Sequence, residues 1–335
     1  MTPSKQQTIC NVTVLSVKIM VLANTWRSFV VNTYQIRTTD GITLHAKSMG
    51  SPDAPALVLV HGYPDNHRVW LPVAERLAEQ FHVILYDVRC AGGSDSGNNV
   101  AAYRLTQLAH DLEAVVDTII PAQRFHLAAH DWGSIQSWES VTGKALDDRI
   151  ISFSSISGPS LDHAGHWMRK RLGSSEPRAI IEGLRQLTSS WYIMLFQVPV
   201  IAPSMWKLGV GRFWPKYLSR FERVQERHPN PSQTADGVEG VKLYRANFLN
   251  KLTGPAEAFA CCPVQIIVPS RDKFVNVSLF NDLKTWVPEL YRRDIDAGHW
   301  VLLSQPALIA QWIAEFAIGI SQETRPAALK ALAVA

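Results

Sequence analysis

With 335 residues, 47% of them hydrophobic and 19% charged, the chain holds enough apolar side chains for a large buried core, which excludes the disordered and collagen-like classes. Thirty-three basic against 29 acidic residues leave a net charge of +4 without any block of five or six cations, so no nucleic-acid surface is expected. The four cysteines match neither metal-ligand nor disulfide-framework spacing, which points to reduced thiols in a cytoplasmic protein.

Residues 1–33 read as an N-terminal extension, expected to be disordered. Asn11 to Ala23 is apolar, follows Lys5 and ends in Val21-Leu22-Ala23, similar to a small-residue cleavage site, so a secretory signal within residues 1–23 is the alternative. Lys18 interrupts the run, which is too short to cross a membrane, and Met20 offers a second start.

From Tyr34 the pattern is regular. Strands around 34–37 and 43–47 flank the Asp40-Gly41 turn. Apolar runs then alternate with helical patterns: strand 57–60, helix 68–79, strand 82–86, helix 103–119, strand 124–129, a helix from 132 and strand 150–156. Strands 264–268 and 290–295 and a helix over 307–318 close the chain. The alternation predicts a mostly parallel, eight-stranded sheet with helices on both faces, an α/β fold. Residues 159–258 lack strand alternation and gather Trp167, Trp191, Trp206 and Trp214 with Tyr192, Phe196, Phe213, Tyr217, Tyr244 and Phe248, the pattern of an inserted helical cap whose aromatics mostly pack. The core is then 34–158 with 259–320, and 321–335 is a C-terminal tail.

Three strand ends carry chemistry. The strand Leu57–Val60 runs into His61-Gly62-Tyr63-Pro64, which alone would be an ordinary turn. Phe125–Ala129 runs into a tight turn and a helix, with Asp131 between the small residues Ala129 and Gly133. An acid there either caps the helix or serves as a nucleophile. A carboxylate attacking an acyl group gives an anhydride that reverts, whereas attack on a saturated carbon gives an alkyl ester, so Asp131 points to epoxides or alkyl halides. Asp272 and His299 follow beyond two later strands, in the order nucleophile, acid, histidine and at the strand ends where ligands of open α/β sheets gather.

These segments resemble the α/β-hydrolase-fold epoxide hydrolases over roughly residues 34 to 320. His61-Gly62-Tyr63-Pro64 is similar to the family's His-Gly-aromatic-Pro loop, His130-Asp131-Trp132-Gly133 to its nucleophile motif and Gly298-His299-Trp300 to its base motif. Tyr192 and Tyr244 lie in segments that resemble those of the family's paired lid tyrosines. The resemblance implies a mostly parallel sheet with an inserted cap, and catalysis by Asp131, Asp272, His299, Tyr192 and Tyr244. It further implies an oxyanion hole from the backbone N–H groups of Tyr63 and Trp132, and substrate contacts from Trp132, Trp191, Phe196 and Trp300.

The implied reaction turns an apolar epoxide into a vicinal diol through an ester on Asp131, hydrolysed by water that His299 activates, with no cofactor and no metal. Its partners are the small-molecule epoxide and water. Neither nucleic acid nor membrane is expected as a partner, and homodimerisation stays open. A haloalkane-type dehalogenase of the same fold and a non-catalytic ligand-binding protein are the alternatives, the first disfavoured by Tyr63 beside the His-Gly pair and by the two tyrosines.

The family's Asp-X-Arg-Gly-X-Gly turn appears as Asp87-Val88-Arg89-Cys90-Ala91-Gly92-Gly93, with cysteine at the first glycine, and Ala129 stands where glycine is commoner. Ile156–Asp162, with the Tyr192 segment, resembles the hydrolase half of bacterial epoxide hydrolases fused to a short-chain reductase, without a second half of that kind. His130, His163 and His166 read as structural, and Ser134 lies inside the helix, away from a nucleophile's place.

Overall fold

A computed structural model describes the backbone of residues 13–21, 28–225 and 230–334. One sheet orders its strands β1-β2-β3-β5-β4-β6-β7-β8-β9. These are β1 (Thr13–Val21), β2 (Ser28–Arg37), β3 (Thr43–Met49), β4 (Ala56–Val60), β5 (His82–Tyr86), β6 (Phe125–His130), β7 (Ile150–Ile156), β8 (Val264–Pro269) and β9 (Leu290–Ile295). The pairs β1·β2, β2·β3 and β3·β5 are antiparallel, and every later pair is parallel.

Strands β2 to β9 make the expected eight-stranded sheet, and β1 adds a ninth at its edge. The expectation of a disordered extension is therefore corrected for residues 13–21 and 28–33, which form an antiparallel pair with Val17 opposite Asn32. Residues 1–12 and 22–27 lie outside the described residues.

Helices α1 (Leu71–Leu77), α2 (Leu105–Ile119) and α3 (Trp132–Thr142) lie between the body strands. Between β7 and β8 come α4 (Leu161–Leu172), α5 (Pro177–Ser189), α6 (Trp191–Gln197), α7 (Ile201–Met205), α8 (Gly211–Phe221) and α9 (Gln233–Thr253). The chain closes with α10 (Val301–Ser304), α11 (Pro306–Ser321) and α12 (Ala327–Lys330).

In β4, Val58 and Val60 join one apolar cluster with residues of α2 and α3, while Leu57 and Leu59 join a second with residues of α1 and α11. Covered on both faces, β4, β5, β6 and β8 are buried throughout, which is why they read as largely apolar runs. Among the described residues no single helix is long and apolar enough to cross a membrane.

In the loop after β5 a cysteine takes the left-handed backbone conformation that favours glycine. Cys90 itself adopts φ 76° and Gly92 φ 55°. Asp87 anchors the loop: its buried carboxylate accepts the N–H groups of His67 at 2.8 Å and Gly93 at 2.9 Å and pairs with the rings of both His45 and His67. Burial would raise its pKa, but those histidines outweigh it and hold the group far below the ordinary carboxylate range.

Candidate active site

Asp131 sits between β6 and α3 with φ 51° and ψ −126°, a region that costs a non-glycine residue about 1–3 kcal/mol and persists only where its surroundings enforce it. Its amide donates to Ile156 O at 3.0 Å and its carbonyl accepts from Ile135 N at 2.9 Å. A Cβ at Gly133 would lie 2.3 Å from the carbonyl oxygen of Val60, so the turn fits against β4 only with glycine there. Ser134 is buried and donates to Gly158 O at 2.6 Å, which removes it from consideration as a nucleophile.

The two oxygens of Asp131 have separate partners. Oδ1 accepts the Tyr63 N–H at 2.7 Å, and Oδ2 lies 3.3 Å from His299 Nε2. A Cβ at Gly62 would stand 2.4 Å from Oδ1, so the loop reaches the carboxylate only as glycine. The Trp132 amide belongs to the first turn of α3, whose N–H groups have no partner within the helix.

His299 lies between two carboxylates, with Nδ1 2.8 Å from Asp272 Oδ2. The amides of Phe274 and Val275 donate to Asp272 Oδ1 at 2.8 and 3.1 Å. Burial alone would lower the His299 pKa, but Asp272 and Asp131 outweigh it and raise it well above the ordinary value. Burial would raise Asp272, and the His299 charge with the two amides holds it below its usual range instead.

Three further groups brace the site. Val88 N–H donates to His61 Nε2 at 2.9 Å, so Nδ1 of His61 carries the proton and donates to Gly62 O, also at 2.9 Å. His130 pairs through Nε2 with the carbonyl of His299 at 2.9 Å, its ring 4.9 Å from the His299 ring, and burial pushes its pKa down to about 4. Asp65, directly after the His-Gly-Tyr-Pro loop, accepts the Trp300 indole N–H at 2.8 Å, and burial pushes its carboxyl up to about 7. His130, read from the sequence as structural, braces His299, and Asp65 is a site residue that sequence reasoning passed over. The only signal was adjacency to a motif, because their partners lie 169 and 235 residues away.

Above Asp131 lies a cavity of about 420 Å³, walled mostly by apolar side chains, with Asp131, His299, Tyr63, Tyr192 and Tyr244 on its surface. Trp191, Phe196 and Trp300 line it as well. Trp132 does not: its ring is buried, edge-on to Tyr244 at 4.8 Å, so the expectation that it touches substrate is corrected to one of support. As the first residue of α3 it turns into the core.

Tyr192 comes from α6 and Tyr244 from α9, their rings 6.0 Å apart. Burial first, and then the Asp131 charge among other groups, raises both phenol pKa values above the ordinary one, so both keep their protons at neutral pH. Arg245 fixes the two helices to each other, donating to Phe196 O at 2.7 Å and Val198 O at 2.9 Å. The cap also holds the loop that reaches Asp131. Tyr63 OH donates to Gly237 O at 2.9 Å and accepts from Trp206 Nε1 at 2.6 Å, and Gln233 donates to Pro64 O at 2.6 Å. His163 and His166 pair with the carbonyls of Ala258 and Ala256 where the cap rejoins the body.

Residues 55–306 match the alpha/beta hydrolase fold family. Among curated proteins, the Mycobacterium tuberculosis protein named "Probable oxidoreductase EphD" is 34% identical over 288 residues, 84% of this chain and 49% of that one. Epoxide hydrolase A of the same organism is 30% identical over 229 residues, 67% of this chain and 64% of that one. The chain thus spans about half the length of the first of these relatives. Among solved structures, epoxide hydrolase A from Mycobacterium thermoresistibile superposes with a TM-score of 0.67 at 20% identity, covering 86% of this chain and 98% of that one. An epoxide hydrolase from hot-environment metagenomes gives 0.69 at 22%, covering 85% and 98%. At such identities the superpositions speak for the fold alone.

Proposed function

The chain belongs to the alpha/beta hydrolase fold family, and we propose that it hydrolyses an apolar epoxide to a vicinal diol through an ester on Asp131. The observation that carries this reading is a carboxylate at the strand-to-helix turn, 3.3 Å from His299 Nε2, in one apolar cavity with two protonated tyrosines. The epoxide hydrolases among its relatives support it.

Oδ1 of Asp131 is held by the Tyr63 amide, which leaves Oδ2, on the His299 side, as the attacking oxygen. It displaces the ring oxygen from one epoxide carbon, and a tyrosine hydroxyl gives that oxygen its proton as the C–O bond breaks. General-acid help of this kind contributes about 10²–10⁴-fold. The ester leaves Asp131 uncharged, which removes one of the two carboxylates that hold the proton on His299. His299 then releases that proton, which restores the tyrosine through solvent.

Neutral His299 takes a proton from water, and the hydroxide adds to Cγ of Asp131. Charge develops on Oδ1, against the N–H groups of Tyr63 and Trp132, where one such donor is worth about 3–4 kcal/mol. Collapse expels the diol oxygen, which takes the proton back from His299, and the carboxylic acid left on Asp131 passes its own proton to His299, which restores the starting ion pair with one carboxylate oxygen from water.

A single turnover in ¹⁸O-labelled water with enzyme in excess tests the route. The diol should be unlabelled and the label should appear in the peptide containing Asp131. Label in the diol after one turnover would mean that water attacks the epoxide directly, and Asp131 would be a turn-capping acid.

A further inference from the structure

The outer surface of the cap carries exposed apolar and basic residues together. From Gly183 to Phe221 the sequence has no aspartate or glutamate and five cations: Arg185, Lys207, Arg212, Lys216 and Arg220, all exposed. In the same stretch Leu208 is 86% exposed, Trp191 65% and Phe213 60%, with Leu184, Leu187 and Met194 also open to solvent.

The inner sides of these helices are already occupied. Gly183, Gln186, Ile193, Ala202, Gly211 and Leu218 are buried, and α6, α7 and α8 pack on α9. On α8, at 100° per residue, Phe213, Lys216 and Arg220 fall opposite the inner stripe of Gly211, Trp214 and Leu218. The two apolar helical stretches, Trp191–Gln197 and Ile201–Phe221, meet at 101°, so they cannot form one straight span.

We propose that this face of the cap docks on an anionic phospholipid surface, its apolar side chains entering the headgroup region and its cations lying among the lipid phosphates. Charge decides between this occupant and a second copy of the chain. A two-fold dimer through the same face would set Arg212, Lys216 and Arg220 opposite their own images with no acid from this stretch between them, whereas an anionic bilayer complements them. Against the expectation from overall composition, the membrane partner follows from the exposed cations and apolar side chains of this one acid-free stretch.

The cavity opens onto this face. Trp191 and Met205 are exposed and also line the cavity above Asp131, so an apolar epoxide dissolved in the bilayer would reach the carboxylate without crossing water. That last step rests on the proposed reaction; the docking does not.

Sedimentation of the full chain with vesicles of phosphatidylcholine plus phosphatidylglycerol, beside phosphatidylcholine alone, tests the docking. Binding should require phosphatidylglycerol and weaken as salt rises. Lys216→Gln and Arg220→Gln should each weaken it about fivefold, and Leu208→Glu roughly tenfold. The variants should keep the wild-type circular dichroism spectrum and thermal midpoint, since all three positions are exposed.

No binding to phosphatidylglycerol vesicles at low salt overturns the proposal, as does binding indifferent to lipid charge. A concentration-dependent dimer that Leu208→Glu and Phe213→Glu disperse overturns it in favour of a self-interface. Vesicle binding without turnover of any epoxide would remove the catalytic reading and leave the docking intact.

Discussion

In the proposed reaction His299 faces opposite demands in the two half-reactions. Asp131 and Asp272 flank it and favour its charged form, yet it must be neutral to activate water. His299→Gln should therefore still be alkylated but lose hydrolysis by about 10²–10⁴-fold, so an adduct of substrate mass should accumulate on the intact protein by mass spectrometry. Normal turnover by that variant would remove His299 from the role of base. The same charge makes a stability prediction. The folded pKa lies above the unfolded value of about 6.5, so the stabilisation is fully present below that value and is lost as pH rises through the folded one. The difference in thermal midpoint between the wild type and His299→Gln should narrow over that rise. For the tyrosines, Tyr192→Phe or Tyr244→Phe alone should slow alkylation partially, because the other hydroxyl lines the same cavity. The double variant should lose about 10²–10⁴-fold, read from single-turnover rates on an aryl epoxide beside a chloroalkane. A double variant at wild-type rate, or a preference for the chloroalkane, would favour the dehalogenase.

The tyrosine pair depends on the fit of α6 to α9, and Arg245 is the bolt between them, reaching two carbonyls at the end of α6. Arg245→Met keeps the aliphatic stem and removes both bonds. Stability should fall by about 1 kcal/mol, and ester formation should slow while ester hydrolysis, which uses groups of the body, stays near wild type. Equal slowing of both steps would show that Arg245 supports the whole site. This dependence on α6 and α9 also marks the limit of what the residues alone disclose. Strands β4, β6 and β8 are legible because burial on both faces forces largely apolar runs, interrupted only by His126, His130 and Gln265, and the tight turn at Asp131 because only small residues fit beside it. Strand β1 is not legible, since a register shift between Val14 and Ser16 breaks the alternation and the run then resembles a leader segment. The inward turn of Trp132 and the bonds His130 to His299 and Asp65 to Trp300 depend on packing between distant segments, which no local pattern encodes.

At the scale of the whole molecule, cap and body share one apolar core. Val58, Val60, Ile135 and Trp138 of the body belong to the same buried cluster as Ile193, Ala202, Trp206, Val241 and Tyr244 of the cap, with Tyr63 between them. A cap joined this way cannot leave without exposing that core, so the two should unfold together. Trp206 tests the coupling, because its ring is buried at the junction, edge-on to Tyr63 at 6.0 Å, and its indole N–H donates to the Tyr63 hydroxyl. Trp206→Ala should cost about 3–5 kcal/mol, and tryptophan fluorescence and far-ultraviolet circular dichroism should still report a single coincident transition. Trp206→Phe, which keeps most of the packing and loses the bond, should cost about 1 kcal/mol. Because the Tyr63 amide holds Oδ1 of Asp131, the alanine variant should also slow both half-reactions. An early fluorescence transition with the sheet signal intact would instead make the cap an independently folding unit, and the loop at Tyr63 would then owe its position to the body alone.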